Sequence, residues 1–397
     1  MTTTITSSVS RVAVFACVAV TLASTSASAQ SVTDVLTFLV TNQSVATGSV
    51  ERDREAAQAT STTISRALAA NLATLPVTSS SGSFVYRLNP ELGTVERATQ
   101  SFGPFFTERA LGAGRGQASF GMTLQQLHFT SLDGRSLRDG SLITTANRFT
   151  DETAPFDVDQ LTLNIDASVA TLYANVGVTD RLDVGIAAPL VSLSLDGSRV
   201  NTYRGRTFTQ ATASARAVGL ADLVVRSKYT LFAEDATGLA ALVDVRLPTG
   251  RQEDLLGAGS TAVKFSGIGS LEQGRFSAHA NAGISFGGLA REIDYAGAVA
   301  LAASRRVSVI GELLGRWIDS PGHIVPVSAA HPGLSGVETI RLTPDTSSLQ
   351  VITLVPGVKW NLSDTWVLAA NVSIPLTTGG LTAPWTPFVG LDYSLGR

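Results

Sequence analysis

From Gly114 onward the chain alternates apolar and polar side chains with period two, in runs broken by Gly, Pro, Asp and Ser. The clearest pair spans Gly219 to Gly250. In its first half Leu223, Val225, Tyr229 and Leu231 share one parity, while Asp222, Arg226 and Lys228 share the other. After a break at Glu234-Asp235-Ala236-Thr237, Val243, Val245 and Leu247 oppose Asp244 and Arg246. Successive side chains of a strand point to opposite faces, so this pair reads as a hairpin with one apolar and one charged face. A soluble sheet would turn the apolar face to a core. A membrane barrel would turn it to lipid and the charges to a lumen.

Twelve runs of this kind follow one another, at about 115–131, 159–177, 181–195, 219–233, 238–249, 261–272, 275–288, 292–304, 307–319, 348–362, 365–378 and 384–396. Their connections alternate in length. Thr179-Asp180, Gln273-Gly274, Arg305-Arg306 and Ser363-Asp364 are turns, whereas 132–158, 196–218, 250–260 and 320–347 read as long loops. Short turns at one end and long loops at the other are the pattern of an outer-membrane barrel, and an even strand number leaves both termini on the periplasmic side. The link between the seventh and eighth runs breaks the rule, being short on the loop side. A β-sandwich would also alternate but rarely needs twelve runs. A β-propeller would show a repeat of roughly 40 residues, and none is present. The fold class is therefore all-β, a twelve-stranded antiparallel transmembrane barrel of the bacterial outer membrane.

Composition agrees with a greasy exterior diluted by alternation: charged residues make up only 15% and Gly numbers 36. No segment after the leader approaches the roughly 18 uninterrupted apolar residues of a membrane helix. The leader itself, residues 1–29, carries Arg11, an apolar stretch from Val12 to Ala23 and the small-residue site Ala27-Ser28-Ala29, so cleavage is expected after Ala29. Cys17, the single cysteine, lies in that apolar stretch; a lipoprotein anchor there is the alternative, with Phe15 a poor neighbour for it. The mature chain then has no disulfide and no thiolate metal site. Its formal charge, −3 less the one positive charge of Arg11, is −4, too small and too mixed for a nucleic-acid partner.

Residues 30–110 form a separate segment ahead of the barrel at 111–397. Ser31 to Asp34 resembles a capping box, and Val32, Leu36, Leu39 and Val40 follow helical spacing. A second helix from about Arg54 to Leu75 aligns Ile64, Leu68, Leu72 and Leu75 and stops at Pro76. Ser79 to Ser83 reads as a link, and 84–88 with 94–97 as a hairpin. The block is too short for an enzyme but large enough to plug a pore or cap its periplasmic mouth.

Gly219-Leu220-Ala221-Asp222-Leu223, Arg246-Leu247-Pro248-Thr249-Gly250 and Asp254-Leu255-Leu256-Gly257 resemble an outer-membrane barrel family of transporters described under the MetA pathway of phenol degradation. Ser101 to Phe105, Glu108 to Leu111, Gly114 to Gly116 and Thr179 to Gly185 are similar to it as well, so the resemblance covers roughly 84–397. It implies an outer-membrane barrel passing small aromatic or apolar compounds. One departure is the C-terminus: such barrels usually end in an aromatic, and this chain ends in Arg397.

The charged faces carry the candidate chemistry. With the turn near Asp235, Arg226 falls opposite Asp244, and a loop centred near Leu255 places Lys264 beside Arg246. Arg226, Lys228, Arg246 and Lys264 against Asp222 and Asp244 then form a net positive wall, and Glu312 with Arg316 repeat the arrangement on the ninth run. Such a wall either selects anionic or polarisable solutes or pairs its ions merely to satisfy a charged interior. Ser277, His279 and Asn281 share one face of the seventh run and are the residue types of an outer-membrane lipase. Their order differs from that family, all three would face the lumen, and polar residues on the inward parity are what pore lining expects, so they read as pore-lining residues. His323 and His331, eight residues apart in a Pro/Gly-rich loop, have no clear acidic partner, and the acids 151–159 are explained by a solvated loop. The expectation is an outer-membrane channel for passive passage of small solutes, with no cofactor, no metal and no enzymatic activity. Its partners would be outer-membrane lipid, the solute and the barrel-insertion machinery. The alternatives are a lipase-like barrel enzyme, a structural or adhesive barrel, and a secretion barrel whose passenger is tethered through the pore.

Overall fold

The computed structural model describes residues 30–41, 50–72, 77–79, 86–89, 94–97, 99–234, 236–319, 323–345, 347–363 and 365–395. Twelve strands wind antiparallel in chain order: β1 Ala118–Phe129, β2 Asp157–Gly177, β3 Leu182–Tyr203, β4 Leu223–Glu234, β5 Thr237–Leu247, β6 Ala262–Gln273, β7 Phe276–Gly287, β8 Glu292–Ala302, β9 Val307–Ile318, β10 Leu349–Ser363, β11 Trp366–Pro375 and β12 Thr386–Leu395. β12 returns to β1 with Tyr393 opposite Phe120, which closes the sheet. Closure leaves no unpaired edge, the condition for spanning lipid with strands.

The outer face is the apolar parity. Met122, Leu172, Ile186, Leu239, Phe265, Val299, Leu313, Val358 and Val389 are all 42–51% exposed. A contiguous belt of this kind is foreign to a soluble monomer. At the short-turn end Phe120, Tyr393 and Trp366 touch one another at 4.9 and 4.7 Å between ring centroids, as an interfacial girdle requires. Val299 stands in this belt, so Val299→Arg should lower stability by about 2–4 kcal/mol. Equilibrium unfolding in lipid vesicles checks this; an unchanged midpoint would move that face away from lipid.

On one side the wall continues far past the belt. The outer face turns polar above Leu124, Leu172 and Leu190: Gln126 bonds Ser168 at 2.7 Å, and His128 meets Asp166. β2 and β3 nevertheless run on, flanked by strands at 142–149, 206–220, 323–330 and 337–345. The expected loops at 196–218 and 320–347 are therefore largely strands, and 132–158 contains another. Their alternation is inverted rather than lost. Ser192, Ser194, Asp196 and Ser198 sit on the parity that faced lipid below, while Val191, Leu193 and Leu195 are buried on the inner side. Above the membrane the outside is water and the inside is a core. Glu338, on this extension, is held below the usual carboxylate range by the Arg148 guanidinium, 2.8 Å away.

That inner core is filled by the two N-terminal helices, α1 Val32–Thr41 and α2 Val50–Leu72. Val35, Leu36 and Leu39 of α1 and Ile64 and Leu68 of α2 bury against Leu161, Leu163, Ile165, Leu193 and Leu195. Gly197 leaves room for Leu39, whose Cδ1 would lie 2.3 Å from an added Cβ. The Ser31 hydroxyl accepts the Asp34 N–H at 3.1 Å, closing the cap that the sequence indicates. The stripe Ile64, Leu68, Leu72 is buried as expected; Leu75, Pro76 and the link at 80–83 lie outside the described residues. The helices thus lie at the long-loop end, not at the short-turn end where a periplasmic cap would sit. Their apolar stripes need an apolar partner, and the inner face of the wall at the long-loop end supplies it. The hairpin pairs 86–89 with 94–97.

Candidate functional site

What occupies the short-turn half of the lumen is the segment 99–117, a strap with almost no regular structure of its own. Its backbone groups are satisfied by inward side chains of the barrel. The Ser101 hydroxyl meets that of Ser277 at 2.9 Å, and Phe102 N–H donates to Ser308 at 3.0 Å. Glu312 accepts the N–H groups of Phe105, Phe106 and Thr107 and the Thr107 hydroxyl. Lys359 donates to Pro104 O at 3.0 Å and lies 5.3 Å from the Phe105 ring centroid. Farther along, Asn281 accepts Glu108 N–H at 3.0 Å, Ser270 accepts Ala110 N–H at 2.8 Å, and Thr230 donates to Ala110 O at 2.9 Å. Asp183 takes Ala113 N–H at 3.0 Å. Buried backbone groups without partners cost about 1–3 kcal/mol each, so this complementarity holds the strap in place. Gly177 permits the close approach of the strap's end, since a Cβ there would lie 1.9 Å from Gly114 O. The boundary expected at 110/111 falls inside the strap.

The sequence candidates divide between holding and lining. Asp222, fully buried, accepts Gly250 N–H at 3.0 Å and Ala258 N–H at 2.9 Å, fixing the β5–β6 loop. Lys228 serves the strap, donating to the carbonyls of Arg109 and Leu111 and standing 3.5 Å from Asp183 and 3.8 Å from Glu108. Glu312 does likewise. Arg226 is opposite Asp244 as expected and grips it with two bonds, 2.7 and 2.9 Å, while reaching Glu108 at 2.6 Å and Thr78 O at 3.0 Å. Lys264 pairs in register with Asp244, not with Arg246, which falls opposite Ala262. The β5–β6 loop centres on Asp254 rather than Leu255, so every pairing moves by one step. Arg316 is not paired with Glu312 but forks onto Glu292 of β8 at 2.8 Å.

Beside the strap a cavity of about 180 Å³ follows the inner wall of β4 to β9. Arg226, Arg246, Lys264 and Arg316 line it, but so do Glu108, Asp244, Glu292 and Asp294. Four cations meet four acids, so the wall is not net positive. The alternation Glu292-Ile293-Asp294 signals two inward acids in the sequence itself; Glu108 comes from the strap, which strand parity does not describe. The cavity exists because β6 to β8 present small inward side chains at Ser266, Gly283 and Ala296. It extends up to 287–290, the short link on the loop side. Gly287 and Gly288, at φ 83° and 67°, make that link tight. The barrel rim is therefore low over the cavity and tall around the helices.

Ser277, His279 and Asn281 do not form a nucleophile and its base. Ser277 bonds Ser101, His279 Nδ1 lies 2.9 Å from Ser270, and Asn281 holds Glu108. All three are part of the strap's seat. His331 accepts Gly333 N–H at 3.1 Å within its own turn, and His323 begins a strand. Among the described residues no cluster of His, Cys, Asp and Glu could hold a metal ion.

Fold and site together define a transmembrane β-barrel whose lumen is partly filled by its own N-terminal chain. No family model matches the sequence, and no curated protein matches it. Among solved structures, an outer membrane channel from Pseudomonas putida F1 is 13% identical, with 72% of this chain and 98% of that one covered and a TM-score of 0.45. The translocator domain of the autotransporter NalP from Neisseria meningitidis is 10% identical, covering 70% and 88%, at a TM-score of 0.36. The KdgM porin is 9% identical, covering 60% and 99%, also at 0.36.

Proposed function

We propose that this protein is an outer-membrane channel in which small solutes pass between the strap and the inner wall of β5 to β9. The observation that carries the reading is the cavity: charged groups set among apolar side chains, reaching the low rim and bounded on one side by a chain segment rather than by barrel wall. At about 180 Å³ it is smaller than the roughly 300–1,000 Å³ of a drug-sized pocket, which sets the solute as small. Phe106, Leu242 and Leu314 line it beside the charges, which supports solutes with an aromatic or apolar body, the class that the sequence resemblance implies. The leader supports export with cleavage after Ala29, and the apolar belt supports insertion by the barrel machinery. The engagement of Ser277, His279 and Asn281 in seating the strap supports a non-enzymatic role.

Reconstitution in liposomes tests this. Uptake of small acids, sugars and ions should be measurable for the full mature chain, and faster once residues 30–117, helices and strap together, are excised. Absence of flux from both proteins would end the channel reading.

A further inference from the structure

Within that cavity, which this inference takes to be the passage, most charges are already spent on one another. Arg226 is fully engaged by Asp244, Glu108 and Thr78 O. Glu292 is held by the fork of Arg316. Arg246 lies in the field of Asp222, Glu292 and Asp244. Two groups of opposite sign stand apart. Lys264 on β6 has a side chain 32% exposed, and among the described residues its one ion pair is a long one, 3.8 Å to an Asp244 that Arg226 already grips. Among the described residues its ammonium makes no hydrogen bond. Asp294 on β8 is half-buried and, among the described residues, receives one weak bond, from Ser285 at 3.3 Å, while the Arg316 opposite it gives its hydrogen bonds to Glu292 and acts on Asp294 only through space.

Lys264 and Asp294 flank β7, where the inward residues are Ser285 and Gly283. Lys264 is level with Ser285 and Asp294 with Gly283, so two strand spacings and a two-residue offset separate their backbones by about 12 Å. On β7 itself nothing larger than the Ser285 hydroxyl stands between them, and Glu292, level with Lys264 on β8, is held by Arg316. An ammonium and a carboxylate thus face a common space, with Leu242, Leu314 and Phe106 supplying apolar wall nearby. A simple anion would satisfy Lys264 but be repelled by Asp294, and a simple cation the reverse.

We propose that Lys264 and Asp294 form a binding site for small zwitterions, the carboxylate of the solute on Lys264, its ammonium on Asp294 and its apolar body against the Leu242 and Leu314 side. The net neutrality of the cavity follows from the same design: it discriminates by the spacing of opposite charges and not by total charge.

Ion current through the full-length protein in planar bilayers reads this site, with L-leucine, hexanoate and hexylammonium as probes of similar size. Leucine should reduce the current at lower concentration than either singly charged probe. Lys264→Gln and Asp294→Asn should each raise the leucine concentration for half block by about tenfold or more, the worth of one charge-assisted hydrogen bond. Both variants retain the Arg226–Asp244 and Arg316–Glu292 pairs that brace the wall. Equal block by hexanoate and leucine, with Asp294→Asn without effect, would replace the zwitterion by an anion site. Leucine block unchanged in both variants would overturn the assignment. A complete lack of current would instead overturn the channel reading on which it rests.

Discussion

Glu312→Ala is expected to convert a narrow, quiet pore into one of several-fold larger and noisier conductance. The Glu312 carboxylate is buried, and it alone terminates three successive strap N–H groups and the Thr107 hydroxyl. Without it the docked strap would leave those donors unsatisfied in the lumen, at about 1–3 kcal/mol each. The strap can escape that cost by leaving its seat, where water solvates it. Lys359 would lose its hold on Pro104 O in the same step. Single-channel recording distinguishes the outcomes. A conductance indistinguishable from that of the unmodified protein would mean that the strap is held elsewhere and that Glu312 does not govern it.

Arg226→Met should have the largest effect on stability. Arg226 is 8% exposed and joins the barrel wall, the strap at Glu108 and the chain ahead of it at Thr78. Its loss takes from Asp244 and Glu108 their shortest ion pairs, 2.7 and 2.6 Å, and leaves contacts such as Lys264 and Lys228 at 3.8 Å. Breaking one side of a buried ion network costs about 3–5 kcal/mol, because the partner charges stay buried. Adding Asp244→Leu removes one stranded charge and should recover part of the loss. The unfolding midpoint in detergent reports both; equal midpoints for the wild type and Arg226→Met would show the network to be solvated.

The twelve spanning strands were legible because lipid imposes one rule on every outward position, and β1 to β12 match the twelve alternating runs closely. Legibility ended where that rule ended. Above the membrane Ser192, Ser194 and Asp196 occupy the former lipid parity, so a strand extension resembled a loop. The strap was hidden for another reason. Ser270, Asn281, Ser308 and Glu312 look like ordinary lumen polarity until a chain is threaded past them. Pairing across β5 and β6 depended on the centre of one loop, and a one-residue error there exchanged Asp244 for Arg246 as the neighbour of Lys264. The short link at 288–291, an irregularity in the sequence, turned out to be the low rim over the cavity.

The route itself can be tested with one side chain. In protein prepared without residues 1–29, which hold the single cysteine Cys17, Ser266→Cys places the one thiol in the cavity wall. Modification by a bulky, water-soluble methanethiosulfonate during bilayer recording should reduce the current in steps. If mass spectrometry showed complete modification while the current stayed unchanged, solutes would not travel along β5 to β9.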